Sequence, residues 1–164
     1  MNNPQNNLSE FLNDFRQTLE VSSVRLLEIP ETQSQISRDK GGWSPKQIVG
    51  HLIDSAANNH QRFVRAQLSN DLVYEGYQQD EWVKVQQYNE APWSQLVQLW
   101  KLYNLHLAHV MASIPEHELT RERKKHSLDQ IAWQTVAKDT RTTVDYLVRD
   151  YVAHLKSHLS QILD

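Results

Sequence analysis

Two histidines, His154 and His158, stand four residues apart near the end of the chain. If this segment is helical, both side chains lie on one face, about 6 Å apart along the axis, since an α-helix turns once in about 3.6 residues. Two imidazoles in that arrangement can share one metal ion. The alternative is a pair of exposed histidines on the solvated face, because a chain with eight histidines can contain such a spacing by chance.

The neighbours of this histidine pair favour the metal interpretation. Apolar residues flank both histidines on the adjoining face, and Asp150 stands one turn before His154. A carboxylate in that place could accept a hydrogen bond from the second ring nitrogen of a ligand and fix its tautomer. A catalytic metal site of the zinc type uses three protein ligands and an open position. The third ligand must therefore come from another helix.

His51 is the best candidate for the third ligand, because it follows the strongest helix-start signal in the chain. That signal, at 44–47, combines a serine N-cap, a proline at the first helical position and a glutamine that completes a capping box. His60 lies far along the same helix. His106 and His109 are the competing candidates, although apolar residues interleave with them and no acidic neighbour supports them.

A polar stripe continues from His51 through Asp54, Ser55 and Asn58, at offsets of 3, 4 and 7 residues. A stripe of this kind can simply be the solvated face of a helix. If it faces the site, Asp54 is a possible general base. We further predict that Ser55, together with Asp150, orients the ligands from beside them.

Composition excludes several classes of function. A net charge of −3 gives no electrostatic argument for nucleic acid or an anionic membrane surface. The absence of cysteine excludes disulfides, thiolate zinc sites and a cysteine nucleophile. The polar segment Met1–Asn7 lacks the apolar core of a signal peptide, and no apolar run is long enough to cross a membrane. These features are compatible with a cytoplasmic protein.

Four long periodic segments, with only four glycines and five prolines in the whole chain, predict an all-α protein. We expect one domain over residues 1–164, arranged as a four-helix bundle, with residues 1–7 as a flexible tail. The segment 116–125 is highly charged, so we expect it to be exposed, with His117 and His126 solvated. The predicted helices cover about 8–29, 44–68, 92–113 and 140–163, with a short helix capped by Asp80 and another piece over about 128–137.

Three segments together resemble the DinB/YfiT-like superfamily, a group of proposed metal-dependent enzymes. Residues 43–55 are similar to its second-helix pattern, a W-S start followed by a histidine and an acidic residue. Residues 62–88, including Asp80-Glu81-Trp82, resemble its Y-D-x-x-x-W segment with one extra residue. Residues 146–162 resemble its closing H-x-x-H-H pattern, except that Ser157 stands where many members have histidine.

The resemblance implies a bundle of up-down-down-up order with short extra helices in its connections. It also implies one ligand on the second helix and two on the last, which are His51, His154 and His158 here. One divalent metal ion, zinc or nickel, would then activate water or a low-molecular-weight thiol. The implied activity is that of a metal-dependent hydrolase or thiol transferase acting on a small molecule. The position of Ser157 is not a ligand in the family pattern. Because this chain has serine where many members have histidine, any role of that position in substrate handling is unassigned.

The residues leave a second function open, a non-catalytic or stress-related bundle whose ion is structural or vestigial. Apart from Asp54 and Asp150, no acid or base is assigned to the site. We predict Tyr74, Tyr77 and Trp82 as lining of the pocket mouth. The tryptophan-rich apolar content is compatible with a homodimer.

Overall fold

Four long helices form the body of the structure, a computed structural model that describes residues 4–164. They are α1 (Pro4–Leu27), α3 (Pro45–Ala66), α5 (Trp93–Ala112) and α8 (Val144–Leu163). The connections carry α2 (Glu31–Ser34), α4 (Gln79–Gln86), a 3₁₀ turn (Tyr88–Glu90), α6 (Glu116–Thr120) and α7 (Leu128–Ile131). Within residues 4–164, no helix has both the length and the apolar character needed to cross a membrane.

Side-chain contacts establish the directions of the four long helices. Successive residues of α1 meet α8 in the same chain order and α5 in the reverse order, so α1 runs parallel to α8 and antiparallel to α5. The hydrogen bonds along α1 are Lys156 to Asp14, Arg25 to the Leu163 carbonyl, Arg16 to the Ala108 carbonyl and Trp93 to the Leu26 carbonyl. The predicted four-helix bundle is therefore confirmed.

Helix α3 runs parallel to α5 and antiparallel to α8, which completes the up-down-down-up order. Lys46, in its first turn, donates to the Asn89 carbonyl just before α5 at 3.0 Å, whereas His60 lies beside Tyr103 halfway along α5. A continuous apolar core joins the four helices, and Phe63 of α3 meets Tyr151 of α8 edge to face. Burying a side chain of this size contributes about 1.5–3 kcal/mol. The core therefore fixes α3 against α8, the two helices that carry the candidate ligands.

Helix α8 begins at Val144, four residues later than predicted. The backbone of Thr142 is paired instead with Arg123, through bonds of 2.8 and 3.0 Å in both directions. Thr143 then caps the helix, because its hydroxyl accepts from the Tyr146 N–H at 3.2 Å. Helix α1, in contrast, begins at Pro4, before the predicted start at Leu8. Residues 1–3 of the predicted tail lie outside the described residues.

The charged connection before α8 is less exposed than predicted. His117 is exposed, with 78% of its side chain accessible. The prediction for His126 is wrong, since its ring is buried, with Nε2 against the Thr140 carbonyl and Nδ1 accepting from the Leu128 N–H. The helix predicted over 128–137 ends at Ile131. The backbone N–H groups of Trp133 and Gln134 donate to the carboxylate of Asp150 in α8 instead of continuing the helix. Asp80 lies inside α4, whose N-cap position is Gln78.

Candidate metal centre

Three imidazoles from two helices converge at one end of the bundle. His51 comes from the second turn of α3, and His154 and His158 come from successive turns of α8. The Nε2 atoms of His51 and His154 lie 3.2 Å apart, and one ring nitrogen of each of the three residues lies within 4.8 Å of the others. His51 is buried, whereas His154 and His158 are half-buried at the edge of a cavity. The two competing histidines of α5 are not part of this cluster.

The spacing of these nitrogens fits a bound cation. Ligand nitrogens at about 2.0–2.1 Å from a tetrahedral ion lie about 3.3 Å from one another, close to the 3.2 Å between His51 and His154. Two ring nitrogens that close repel each other unless a proton or a cation lies between them. Three imidazole donors with an open fourth position are a set that zinc and nickel both accept.

The electrostatics of the cluster also favour a cation over protons. Burial, followed by repulsion from the other two imidazoles, lowers the pKa of His51 to about 3. Burial, followed by repulsion from His158, lowers the pKa of His154 to about 4. Burial also lowers the pKa of His158, although its hydrogen bond with Gln161 has the opposite effect. All three rings are therefore neutral at pH 7, with lone pairs available to a metal ion.

A cavity of about 360 Å³ opens beside the cluster and is lined by both histidines of α8. Of the three aromatic residues predicted at its mouth, Tyr77 lines it. Tyr74 is not a lining residue, because its hydroxyl turns away to donate to the Arg62 carbonyl at 3.2 Å. Trp82 is not one either, since it packs behind Tyr77 with ring centroids 4.8 Å apart. A cavity of this volume suits a small molecule.

Comparison with known proteins agrees with this fold. A sequence profile of the DinB superfamily matches residues 14–162. The chain belongs to the DinB superfamily. It is 26% identical over 82 residues to a protein of Oceanobacillus iheyensis named as a proposed metal-dependent hydrolase. That match spans 50% of this chain and 48%, about half, of the relative.

A solved structure shows the same architecture at low sequence identity. YfiT from Bacillus subtilis, described as a probable metal-dependent hydrolase with an unusual four-helix bundle topology, superposes with a TM-score of 0.72. The alignment covers 93% of this chain and 84% of YfiT at 19% identity. At that identity the likeness concerns the fold, and the site of this DinB-superfamily chain has to be judged from its own residues.

We expect the metal-free DinB-superfamily chain to lose stability as the pH falls from about 6.5. The unfolded His51 titrates near pH 6.5 and the folded one near 3, so the unfolded state binds more protons between these values and acid favours it. The loss is up to about 1.4 kcal/mol per pH unit from His51 alone. Urea unfolding in a chelator between about pH 7 and pH 5 measures this slope. A His51→Gln variant with the same slope as the wild type would contradict the assignment.

Two residues that sequence reasoning gave no role hold the ligands in place. The side-chain oxygen of Gln161 lies 3.2 Å from Nδ1 of His158, which leaves Nε2 free to face the other rings. Trp43 packs over His51 and His158, with ring centroids 5.0 and 6.3 Å apart. The position of Gln161, three residues after a candidate ligand on one helix, was the available signal. No comparable spacing points to Trp43.

Asp150 and Ser55, predicted to orient the ligands, have other partners. The two oxygens of Asp150 accept from the backbone N–H groups of Trp133 and Gln134 at 2.9 and 2.8 Å. Asp150 thus fixes the segment that follows α7 at the rim of the cavity, where Trp133 lies near His154. Ser55 accepts from Asn59 and lies beside Tyr77. Among the described residues, neither Asp150 nor Ser55 forms a hydrogen bond with the ring of His51, His154 or His158.

Asp54 lies one turn after His51 and is held on one side only. Its Oδ1 accepts from the Tyr88 hydroxyl at 2.7 Å and from the Gln86 amide at 2.9 Å. Its Oδ2 is buried and has no hydrogen-bond partner among the described residues, as is also true of Nδ1 of His51. Burial raises the pKa of Asp54, while the bonds from Gln86 and Tyr88 oppose that change. The free oxygen is the one feature that fits the predicted base.

Proposed function

We propose that this chain is a metal-dependent enzyme that hydrolyses a small molecule or transfers a low-molecular-weight thiol to it. His51, His154 and His158 would hold one divalent ion, zinc or nickel. The observation that carries the proposal is the convergence of three neutral imidazoles, two of which line a cavity that suits a small molecule. The family and the hydrolase name of its relative support it.

The proposed reaction needs a metal ion held by the three histidines and a base nearby. When bound to three imidazoles with an open position, a divalent ion lowers the pKa of water or a thiol toward neutrality. Trp43 and Gln161 position ligand rings, and the two histidines of α8 face the cavity. We extend the proposal to Asp54 as the base, since its Oδ2 is free. A kcat unchanged in a metal-loaded Asp54→Asn variant would remove that role.

The test is a screen of the metal-loaded chain against esters, amides, and pairs of a thiol with an electrophile. Any rate found should fall at least about 100-fold in His158→Ala, because even residues behind metal ligands contribute about 10- to 100-fold. Chelation should abolish the rate, and adding the metal back should restore it. His106→Ala, an exposed histidine outside the cluster, is the matched control. Equal rates in the wild type and His158→Ala would refute catalysis of that reaction at this site.

A non-catalytic metal-binding bundle is the second candidate. The hydrogen bonds of Asp54 and Asp150 favour this candidate, because both carboxylates are bound by groups other than the metal-binding histidines. It predicts one ion per chain and no turnover that depends on that ion. The same screen separates the two functions, because a metal-dependent rate belongs to the enzyme alone.

A further inference from the structure

Among the residues whose burial is described, two arginines are buried, and their partners differ. Arg123, 2% exposed, is paired with Glu118 at 2.6 Å and donates to three backbone carbonyls. Arg62, 6% exposed, has no carboxylate within 4 Å among the described residues. Its hydrogen bonds are to the Asn59 side chain at 3.4 Å and the Glu75 carbonyl at 3.1 Å. Arg123 therefore has a structural pairing that Arg62 lacks.

A buried charge without a counter-charge is costly to keep. Arginine does not lose its proton in proteins, and its guanidinium carries five N–H donors in a planar fork. Among the residues that the structure describes, Arg62 makes two hydrogen bonds, both to neutral acceptors. Its charge is thus desolvated and uncompensated, an arrangement that proteins avoid unless the charge has a partner.

Arg62 lines the same cavity as His154 and His158, so a ligand bound there can reach its guanidinium; it also lines a second cavity with Tyr74 and Glu75. Arg62 follows His51 by eleven residues on α3, which is about three turns and returns to the same helix face. The other charged residue of the lining, Asp150, is already held by two backbone N–H groups. Among the described lining residues, Arg62 is therefore the cation without a counter-charge, about three helical turns along α3 from His51.

We propose that Arg62 binds a carboxylate of the substrate while another part of that molecule reaches the three-histidine site. The inference rests on the proposed function for the second contact only. A planar carboxylate matches the guanidinium fork, which binds it through two parallel hydrogen bonds. A single cation in a cavity of about 360 Å³ fits a small molecule with one such group.

The test uses probes with a thiol at one end, which binds a metal ion, and either a carboxylate or a neutral alcohol at the other. The series runs from mercaptoacetate to 6-mercaptohexanoate, each compared with the mercaptoalcohol of equal length. Dissociation constants come from the visible spectrum of the cobalt(II)-loaded full chain. At the length that spans the cavity, the acid should bind about tenfold more tightly than the alcohol, as expected for a charge-assisted pair.

Variants assign that preference to one side chain. Arg62→Gln should bring the acid-to-alcohol ratio close to one while leaving alcohol binding unchanged. Arg65→Gln, which removes an exposed arginine three residues further along α3, should retain the preference. Equal binding of acid and alcohol by the wild type at every length, or a preference that survives in a folded Arg62→Gln variant, would overturn the inference while leaving the metal site intact.

A second measurement on the wild type decides the question without metal. In the isotope-labelled, metal-free chain, 4-mercaptobutyrate should shift the Arg62 side-chain N–H resonance, and 4-mercaptobutanol should not. If cobalt does not bind at all, the proposed function fails, and this titration alone judges Arg62. The same response to both probes, or to neither, refutes carboxylate binding at Arg62.

Discussion

Replacing Gly50 with alanine should destabilise the protein by about 2–3 kcal/mol, although glycine-to-alanine changes inside helices normally stabilise by about 1 kcal/mol. Gly50 lies within α3, where the ring of Tyr88 packs directly on the helix backbone. A Cβ at Gly50 would overlap Cδ2 and Cγ of the Tyr88 ring. The ring is buried and cannot yield without moving the 3₁₀ turn that carries it.

Urea unfolding of the metal-free chain measures this effect. Gly76→Ala is the matched control, because the nearest atom to a Cβ there is 3.8 Å away, an ordinary contact. In the double variant with Tyr88→Ala, the penalty of Gly50→Ala should shrink by about 1–2 kcal/mol, since the clash and its partner are removed together. A Gly50→Ala variant as stable as the wild type would show that Tyr88 does not occupy this position.

The same glycine matters for the site. Because Gly50 has no side chain, the Tyr88 ring can approach α3 closely enough for its hydroxyl to donate to Asp54 at 2.7 Å. Asp54 lies one turn beyond His51, so the contact ties the loop after α4 to the helix that presents a ligand. We therefore expect Gly50→Ala to perturb Asp54 more than the histidine cluster itself.

Local patterns were sufficient for part of the fold and of the site. The start of α3 is encoded within four residues, and the structure contains the capping box between Ser44 and Gln47. The spacing of His154 and His158 likewise depends only on the geometry of one helix. The up-down-down-up order came from the family resemblance, because the period of apolar residues does not state which helices run parallel.

Contacts between distant residues explain the rest. Asp150 accepts from N–H groups 16 and 17 residues before it, which no helical spacing relates to it. Likewise, α8 begins later than predicted because the backbone of Thr142 pairs with Arg123, 19 residues before it. No sequence pattern distinguishes Arg62, because its importance lies in the absence of a carboxylate near its guanidinium among the described residues. No local pattern indicates the role of Gly50, since Tyr88, whose ring packs against it, lies 38 positions further along the chain.

The second large effect concerns the link between α3 and α8. We expect His51→Ala to weaken binding of zinc or nickel by about a hundred- to a thousandfold, since structural zinc sites with four ligands gain about 10–16 kcal/mol, or about 3 kcal/mol per ligand. His51 is the only ligand of the cluster on α3, whereas the other two come from neighbouring turns of α8. Without it, the pair on α8 could still hold an ion, but the ion would no longer join two helices.

Stability is the readout that separates these two situations. In the wild type, metal at about 100 times Kd should raise the free energy of unfolding by about 2.7 kcal/mol, because the unfolded chain does not assemble the site. At the same metal concentration, His51→Ala should gain close to nothing, whereas His60→Ala, nine residues further along the same helix and outside the cluster, should gain as much as the wild type. Metal analysis of protein prepared without a histidine tag should find about one ion per chain. A wild type that binds no ion, or that is equally stable with and without it, would show that the three imidazoles do not act as a metal clamp between α3 and α8.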